Sequence, residues 1–171
     1  MKTFDASGVF VEAGPGHYEA LGINGEWVML RNIGGYFAAV AGAYVLASIA
    51  STQSVLASLA EMGVNIDLTT RFAAIGHDLL GLMTIYLPII AIAFLIAWPA
   101  TALIVRWLPR LRTIGYVLAG FAAIIAAHLI LKQLVEITGI AATRTTFGLV
   151  IQGLAGAAGG LIFVRVVPSR D

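Results

Sequence analysis

Four long apolar runs separate this chain from an ordinary soluble domain. They cover about residues 34–52, 79–105, 114–136 and 145–165. A helix needs about 20 mostly apolar residues to cross a bilayer core, where it must satisfy its own backbone groups. Because 60% of the residues are hydrophobic and only 11% are charged, a soluble fold could not bury the apolar surface. The sequence therefore predicts an all-α integral membrane protein, a four-transmembrane-helix bundle.

The domain organisation follows from the same runs. Residues 34–166 are expected to form the bundle, with a cytoplasmic tail over residues 1–33 and a short cytoplasmic C-terminus over residues 167–171. The first apolar run lies too far from the N-terminus for a cleaved signal peptide, so the chain is expected to be mature protein.

Basic residues indicate the orientation. Seven fall on one side of the predicted spans: Lys2, Arg31, Arg106, Arg110, Arg112, Arg165 and Arg170. Only three fall on the other side: Arg71, Lys132 and Arg144. Because cytoplasmic loops carry an excess of Lys and Arg, both termini are expected to be cytoplasmic. The expected location is the bacterial cytoplasmic (inner) membrane.

Composition and motifs exclude several kinds of chemistry. The chain has no cysteine, so disulfides, thiolate metal sites and cysteine nucleophiles are ruled out. A net charge of +1 gives no reason to expect nucleic acid. No nucleophile elbow, phosphate loop or zinc motif is present, so an enzyme is not favoured. No metal site and no cofactor are predicted.

Two regions outside the spans carry their own signals. In the tail, Asn24-Gly25 stands between extended apolar segments, which predicts a short β-hairpin. The outer connection over residues 51–78 lacks early helix breakers, while Gly63 and Asn65 are turn residues and Asp67 can cap a new helix. We expect an extended antiparallel helical hairpin there, or alternatively an interfacial amphipathic helix. The favoured interpretation of its charged residues, Glu61, Asp67 and Arg71, is a solvent-exposed face.

Small residues mark where helices can approach closely. The first span carries Gly35, Ala39, Ala43 and Ala47 at four-residue spacing. The fourth carries Gly148, Gln152, Gly156 and Gly160 at the same spacing. Packing within the chain is the favoured interpretation, and packing between copies in a homo-oligomer or in a larger membrane complex is the alternative.

The third span alone carries charge in its outer half. His128, Lys132 and Glu136 follow at four-residue spacing, with Gln133 beside them. Counted at 1.5 Å per residue from the predicted helix ends, His128 lies about 16 Å deep and Gln152 of the fourth span about 13 Å deep. The two side chains could therefore meet. A mouth for the same site is predicted from three further residues: His77, Asp78 and Arg144.

Three functional interpretations follow from these residues. The first is a non-catalytic accessory or assembly subunit that binds membrane lipid or a small ligand in an outer-facing polar pocket. The second is a small proton-coupled transporter or channel subunit, since intramembrane His and carboxylate residues serve as proton relays. The third is a haem-binding membrane anchor, which is disfavoured because His77 and His128 lie at different depths. A structural alternative needs no function: a neutral His128 bonded to Gln152 or to a carbonyl.

Overall fold

The computed structural model describes residues 2–4, 10–12, 23–135 and 146–168. Two short strands come first, β1 (Lys2–Phe4) and β2 (Phe10–Glu12). The helices are α1 (Ile23–Glu61), α2 (Leu68–Gly81), α3 (Met83–Trp107), α4 (Arg112–Val135) and α5 (Thr146–Val166), with a 3-10 turn at Pro109–Leu111. The chain divides into two units, residues 1–34 and 35–171, and each is described by itself.

In the first unit, β1 pairs with β2 in an antiparallel register that sets Thr3 opposite Val11. The predicted turn at Asn24-Gly25 is wrong, because both residues lie in α1. The local turn signal of two residues is outweighed by a helix that continues without a break for 39 residues. The rest of the predicted hairpin lies outside the described residues and stays a prediction.

The prediction of four membrane-spanning helices is confirmed. Within the described residues, four helices are long and apolar enough to cross a membrane: α1, α3, α4 and α5. The protein is therefore an integral membrane protein. The first span is longer than predicted at both ends, and the second begins after a break at Leu82, with α2 before it. We call the end of the bundle that carries Leu82 the outer end, after the predicted orientation.

The connection from α1 to α2 is a tight turn. Gly63 takes a left-handed conformation with φ of 86°, which glycine adopts without steric cost. Asp67 then caps α2 by accepting a hydrogen bond from the Thr70 N–H at 2.8 Å. Hydrogen bonds from the side chain and backbone of Thr70 hold the pKa of the Asp67 carboxyl below its usual value. The outer connection is thus helical on both sides of a short turn.

Helices α4 and α5 touch backbone to backbone. A Cβ atom placed on Gly156 would overlap the Gly120 carbonyl oxygen, and one on Gly160 would overlap the Tyr116 carbonyl. The glycines of the fourth span therefore lie against α4 of the same chain. On the first span Gly35, Ala39, Ala43 and Ala47 are all buried. Ala43 faces Gly159, so α1 also packs closely on α5.

Aromatic rings fill the inner half of the bundle. Trp98 of α3 stacks on Phe94 with ring centroids 4.7 Å apart and lies 4.3 Å from the ring of Phe163 on α5. Tyr116 of α4 packs on Phe163 at 4.9 Å. These rings join α3, α4 and α5 by apolar contact, while the glycine contacts set the distance between α4 and α5.

The glycine contact gives a stability prediction. Gly156→Ala should lower the free energy of unfolding by about 1–3 kcal/mol, because backbone atoms of α4 cannot move aside for the added methyl group. The matched control is Gly76→Ala on α2, where no described atom beyond the neighbouring backbone of α2 lies within 4 Å of the added Cβ. It should leave stability equal or slightly higher, since alanine is the better helix former. Unfolding in mixed micelles, followed by circular dichroism, measures both, and an unchanged Gly156→Ala protein would contradict the prediction.

Candidate functional site

The Gln152 amide joins three helices in the outer half of the bundle. Its side chain on α5 is fully buried, with 0% of its surface exposed. The Nε2 group donates to the Ala47 carbonyl of α1 at 3.1 Å, and Oε1 accepts from the Tyr86 hydroxyl of α3 at 2.8 Å. Both ends of the amide are therefore paired across helix interfaces, which satisfies a polar group that would be costly in hydrocarbon.

His128 lies on the other side of Tyr86. The two rings meet edge to face, with centroids 5.5 Å apart. His128 Nδ1 lies 2.8 Å from the Ile124 carbonyl one turn earlier on α4. A carbonyl only accepts, so Nδ1 carries the hydrogen and Nε2 of the neutral ring is an acceptor. Nε2 is buried, and it has no hydrogen-bond partner in the described part of the chain.

A second polar group lies nearer the outer end, where α1 meets α2. Thr52 Oγ1 lies 2.8 Å from Asp78 Oδ2 and 3.0 Å from the Ser48 carbonyl. The Tyr44 hydroxyl donates to the Leu79 carbonyl, which lies in the last turn of α2, where carbonyls lack helical partners. Ser48 Oγ is buried and without a partner among the described residues. Tyr44, Ser48 and Thr52 thus form a polar row on one face of α1.

Only part of the predicted site comes together. Gln152 and His128 both contact Tyr86, Gln152 by a hydrogen bond and His128 by its ring. Asp78 is half-buried and its carboxylate lies against the Thr52 hydroxyl. Three predicted residues are exposed: Lys132, Gln133 and His77. Two lie outside the described residues: Glu136 and Arg144.

The polar residues of the third span differ in burial, since Lys132 is exposed whereas His128 is buried. Four residues of an α-helix turn through about 400°, so each step of four rotates the side chain by about 40°. His128 points into the bundle, and the same row has turned outward at Lys132. The polar stripe therefore winds off the buried face.

Sequence reasoning missed the residues that connect the site: Tyr44, Ser48, Thr52 and Tyr86. Tyr86 stands in an apolar run near a span end, where a tyrosine is typical of the membrane interface. The row on α1 did carry a signal, because three hydroxyl side chains at four-residue spacing share one helical face. Ser48 is adjacent to Ala47, which bonds Gln152, and Thr52 lies four residues further out.

The described side chains give little support to a metal or haem site. No group of three His, Asp or Glu residues that could hold a metal ion is present among them. His77 is exposed on α2 whereas His128 is buried beside Tyr86, so the two imidazoles are not arranged as a pair of axial ligands.

An apolar groove runs along the outside of α3 and α4. Its volume is about 620 Å³, and eight of its thirteen lining residues are alanines. The α4 wall is formed mainly by Ala119, Ala122, Ala123, Ala126 and Ala127. Its lining residues are all Ala, Ile or Leu, so the groove is separate from the polar groups around Gln152.

The bond between Tyr86 and Gln152 gives a second prediction. Tyr86→Phe should lower the free energy of unfolding by about 0.5–2 kcal/mol, because it leaves a buried amide oxygen unpaired. Tyr116→Phe is the matched control, since the Tyr116 hydroxyl makes no hydrogen bond to any described residue, and it should change stability less. A double-mutant cycle with Gln152→Leu measures the coupling. Additive effects of the two changes would show that the bond contributes nothing.

The sequence matches no known protein family model, and comparisons with curated proteins and with solved structures give no match. No activity or ligand can therefore be transferred from a relative.

Proposed function

We propose that this protein is a non-catalytic membrane subunit that supports the assembly of a larger membrane complex. One observation carries the proposal: Gln152, whose side chain is fully buried, uses both ends of its amide in hydrogen bonds between helices. Groups used in this way stabilise a bundle and present nothing to a substrate. The outward position of Lys132 and Gln133 adds support, because a relay needs such groups to converge.

The packing of the bundle supports a rigid rather than an alternating structure. Alternating access requires one group of helices to rock against another. Here Gly120 and Gly156 bring α4 and α5 into backbone contact. A hydrogen bond also joins α1 to α3, because the Tyr36 hydroxyl donates to the Ala91 carbonyl at 2.6 Å. Motion between these helices would break several close contacts at once.

A small proton-coupled transporter or channel subunit is the second candidate, and a specific observation favours it. His128 Nε2 and Ser48 Oγ are buried polar atoms that lack partners among the described residues. Such atoms are uncommon in native interiors and often indicate a functional site. An acceptor nitrogen inside a membrane protein could take up a proton or a small polar molecule.

We also place the lipid-binding part of the proposal in the groove between α3 and α4 instead of the predicted polar pocket. The groove continues the lipid-facing surface of two spans and is lined by apolar side chains. Its alanines leave room for an acyl chain to approach the helix backbones closely, which increases van der Waals contact. A phospholipid acyl chain is the proposed occupant.

We also propose how the bundle is oriented and in which membrane it lies. Arg106, Arg110 and Arg112 surround the turn between α3 and α4, and clusters of this kind are typical of cytoplasmic loops. This favours a cytoplasmic inner end in a bacterial inner membrane. A homo-oligomer is one form that the proposed complex could take.

A flux measurement separates the two candidate functions. Vesicles that contain the protein and a trapped pH-sensitive dye should acidify no faster than protein-free vesicles under an imposed potential, because Tyr86, the polar neighbour of His128, is bonded to Gln152. His128→Ala should behave like the parent protein, and so should the control His77→Ala at an exposed site. Proton flux that His128→Ala abolishes and His77→Ala retains would overturn the assembly proposal in favour of transport.

Native gels of membrane extracts should also show the chain in a species larger than its own 18.0 kDa, and a monomer alone would contradict assembly.

The groove is tested by lipid retention. Ala126→Phe should lower the fraction of protein that retains phospholipid in native mass spectrometry, because the ring occupies the groove. Leu118→Phe adds a similar ring at an exposed position on α4 outside the groove, and it should retain lipid like the parent protein. Equal retention by both variants would exclude the groove as the site.

A further inference from the structure

Helix α2 has an unusual surface for a connection between spans. None of its residues is buried, and three of its large apolar side chains are among the most exposed in the described chain. Leu80 is 76% exposed, Leu68 is 73% exposed and Phe72 is 72% exposed. In water such a surface would be a liability, so the surroundings of α2 need an explanation.

Three faces can be distinguished on α2 by their spacing. Leu68 and Phe72 are exposed on one apolar face, which Ile75 and Leu79 continue at steps of three and four residues. Ile75 and Leu79 are half-buried, and Leu79 packs against the bundle core. Thr70 and His77, seven residues apart, are exposed on a different face. This is the pattern of an amphipathic helix.

The third face holds α2 on α1. Arg71 donates to Gln53 Oε1 at 2.7 Å, and Asp78 Oδ2 lies 2.8 Å from Thr52 Oγ1. Both charged side chains of α2 are therefore turned toward the protein. The two anchors are seven residues apart on α2 but meet adjacent residues of α1, so they fix α2 at one level.

The position of α5 gives the depth of this level in the membrane. Gln152 lies beside Ala47, and the first residue of α5, Thr146, is six residues or about 9 Å further out. Because α1 and α5 are antiparallel, Thr146 is level with about Gln53. Helix α5 has 21 residues, which matches the thickness of the hydrocarbon core, so its start marks the outer boundary of that core. The anchors of α2 lie at the same boundary.

We infer that α2 is an interfacial helix that binds the lipid surface of the outer leaflet through Leu68 and Phe72. Leu68 and Phe72 are exposed at the level of the outer boundary of the core, and the charged side chains of α2 are bonded to α1. Interfacial helices bury such a face about 5–10 Å into the boundary between headgroups and acyl chains. Thr70 and His77 then face water. A partner protein or a second copy of the chain on the same face is the competing occupant.

The absence of cysteine makes a direct test simple. Single variants Phe72→Cys and His77→Cys are spin-labelled in the full chain, which is reconstituted in vesicles of phosphatidylcholine and phosphatidylglycerol. Access of apolar oxygen and of a water-soluble nickel chelate to each label is then measured. At Phe72→Cys the ratio of oxygen to nickel access should be several-fold higher than at His77→Cys. Leu68→Cys should resemble Phe72→Cys.

Each other outcome overturns the inference. A label at Phe72→Cys that is open to nickel would place the apolar face in water. A label shielded from both reagents would show that protein covers the face. All three substituted side chains are exposed, so the variants should fold, and unchanged thermal unfolding checks this.

Discussion

The outer half of this bundle depends on one buried amide. Each hydrogen bond between membrane helices is worth only about 0.6 kcal/mol on average, but an unpaired buried polar group costs about 1–3 kcal/mol. Gln152 therefore acts mainly by excluding arrangements in which its two ends lack partners. Rotating α1, α3 or α5 would remove the Ala47 carbonyl or the Tyr86 hydroxyl from reach. The position of the Tyr86 ring beside His128 follows from this constraint.

The inner half is held in a different way. There the helices are joined by aromatic rings around Trp98 and by glycines that allow α4 and α5 to touch. Contacts of this kind depend on shape and do not select one rotation as sharply as paired polar atoms do. The polar half thus defines the arrangement, while the apolar half supplies contact area. This division fits a subunit whose function is to hold a shape.

Hydropathy predicted the spans well because the bilayer imposes their length and composition. Counting residues also put His128 and Gln152 at similar depth, and in the structure both side chains contact Tyr86. Tyr86 itself could not be chosen from the sequence, since its role depends on which helix lies opposite. Lys132 follows His128 at four-residue spacing but is exposed, because each step of four residues rotates the side chain by about 40° around the helix. The Asn24-Gly25 signal failed because a local preference for a turn is weaker than the continuation of a long helix.

The central amide also has a consequence for the order of events during synthesis. Helix α5 is synthesised after the other three spans, so a nascent chain with only α1, α3 and α4 inserted carries a Tyr86 hydroxyl and an Ala47 carbonyl that lack their eventual partner. Arg112 likewise waits for the end of α5, where it bonds the Val167 carbonyl. Until α5 is inserted, the Tyr86 hydroxyl and the Ala47 carbonyl lack this shared partner. The outer half of the bundle is therefore joined only when α5 is in place.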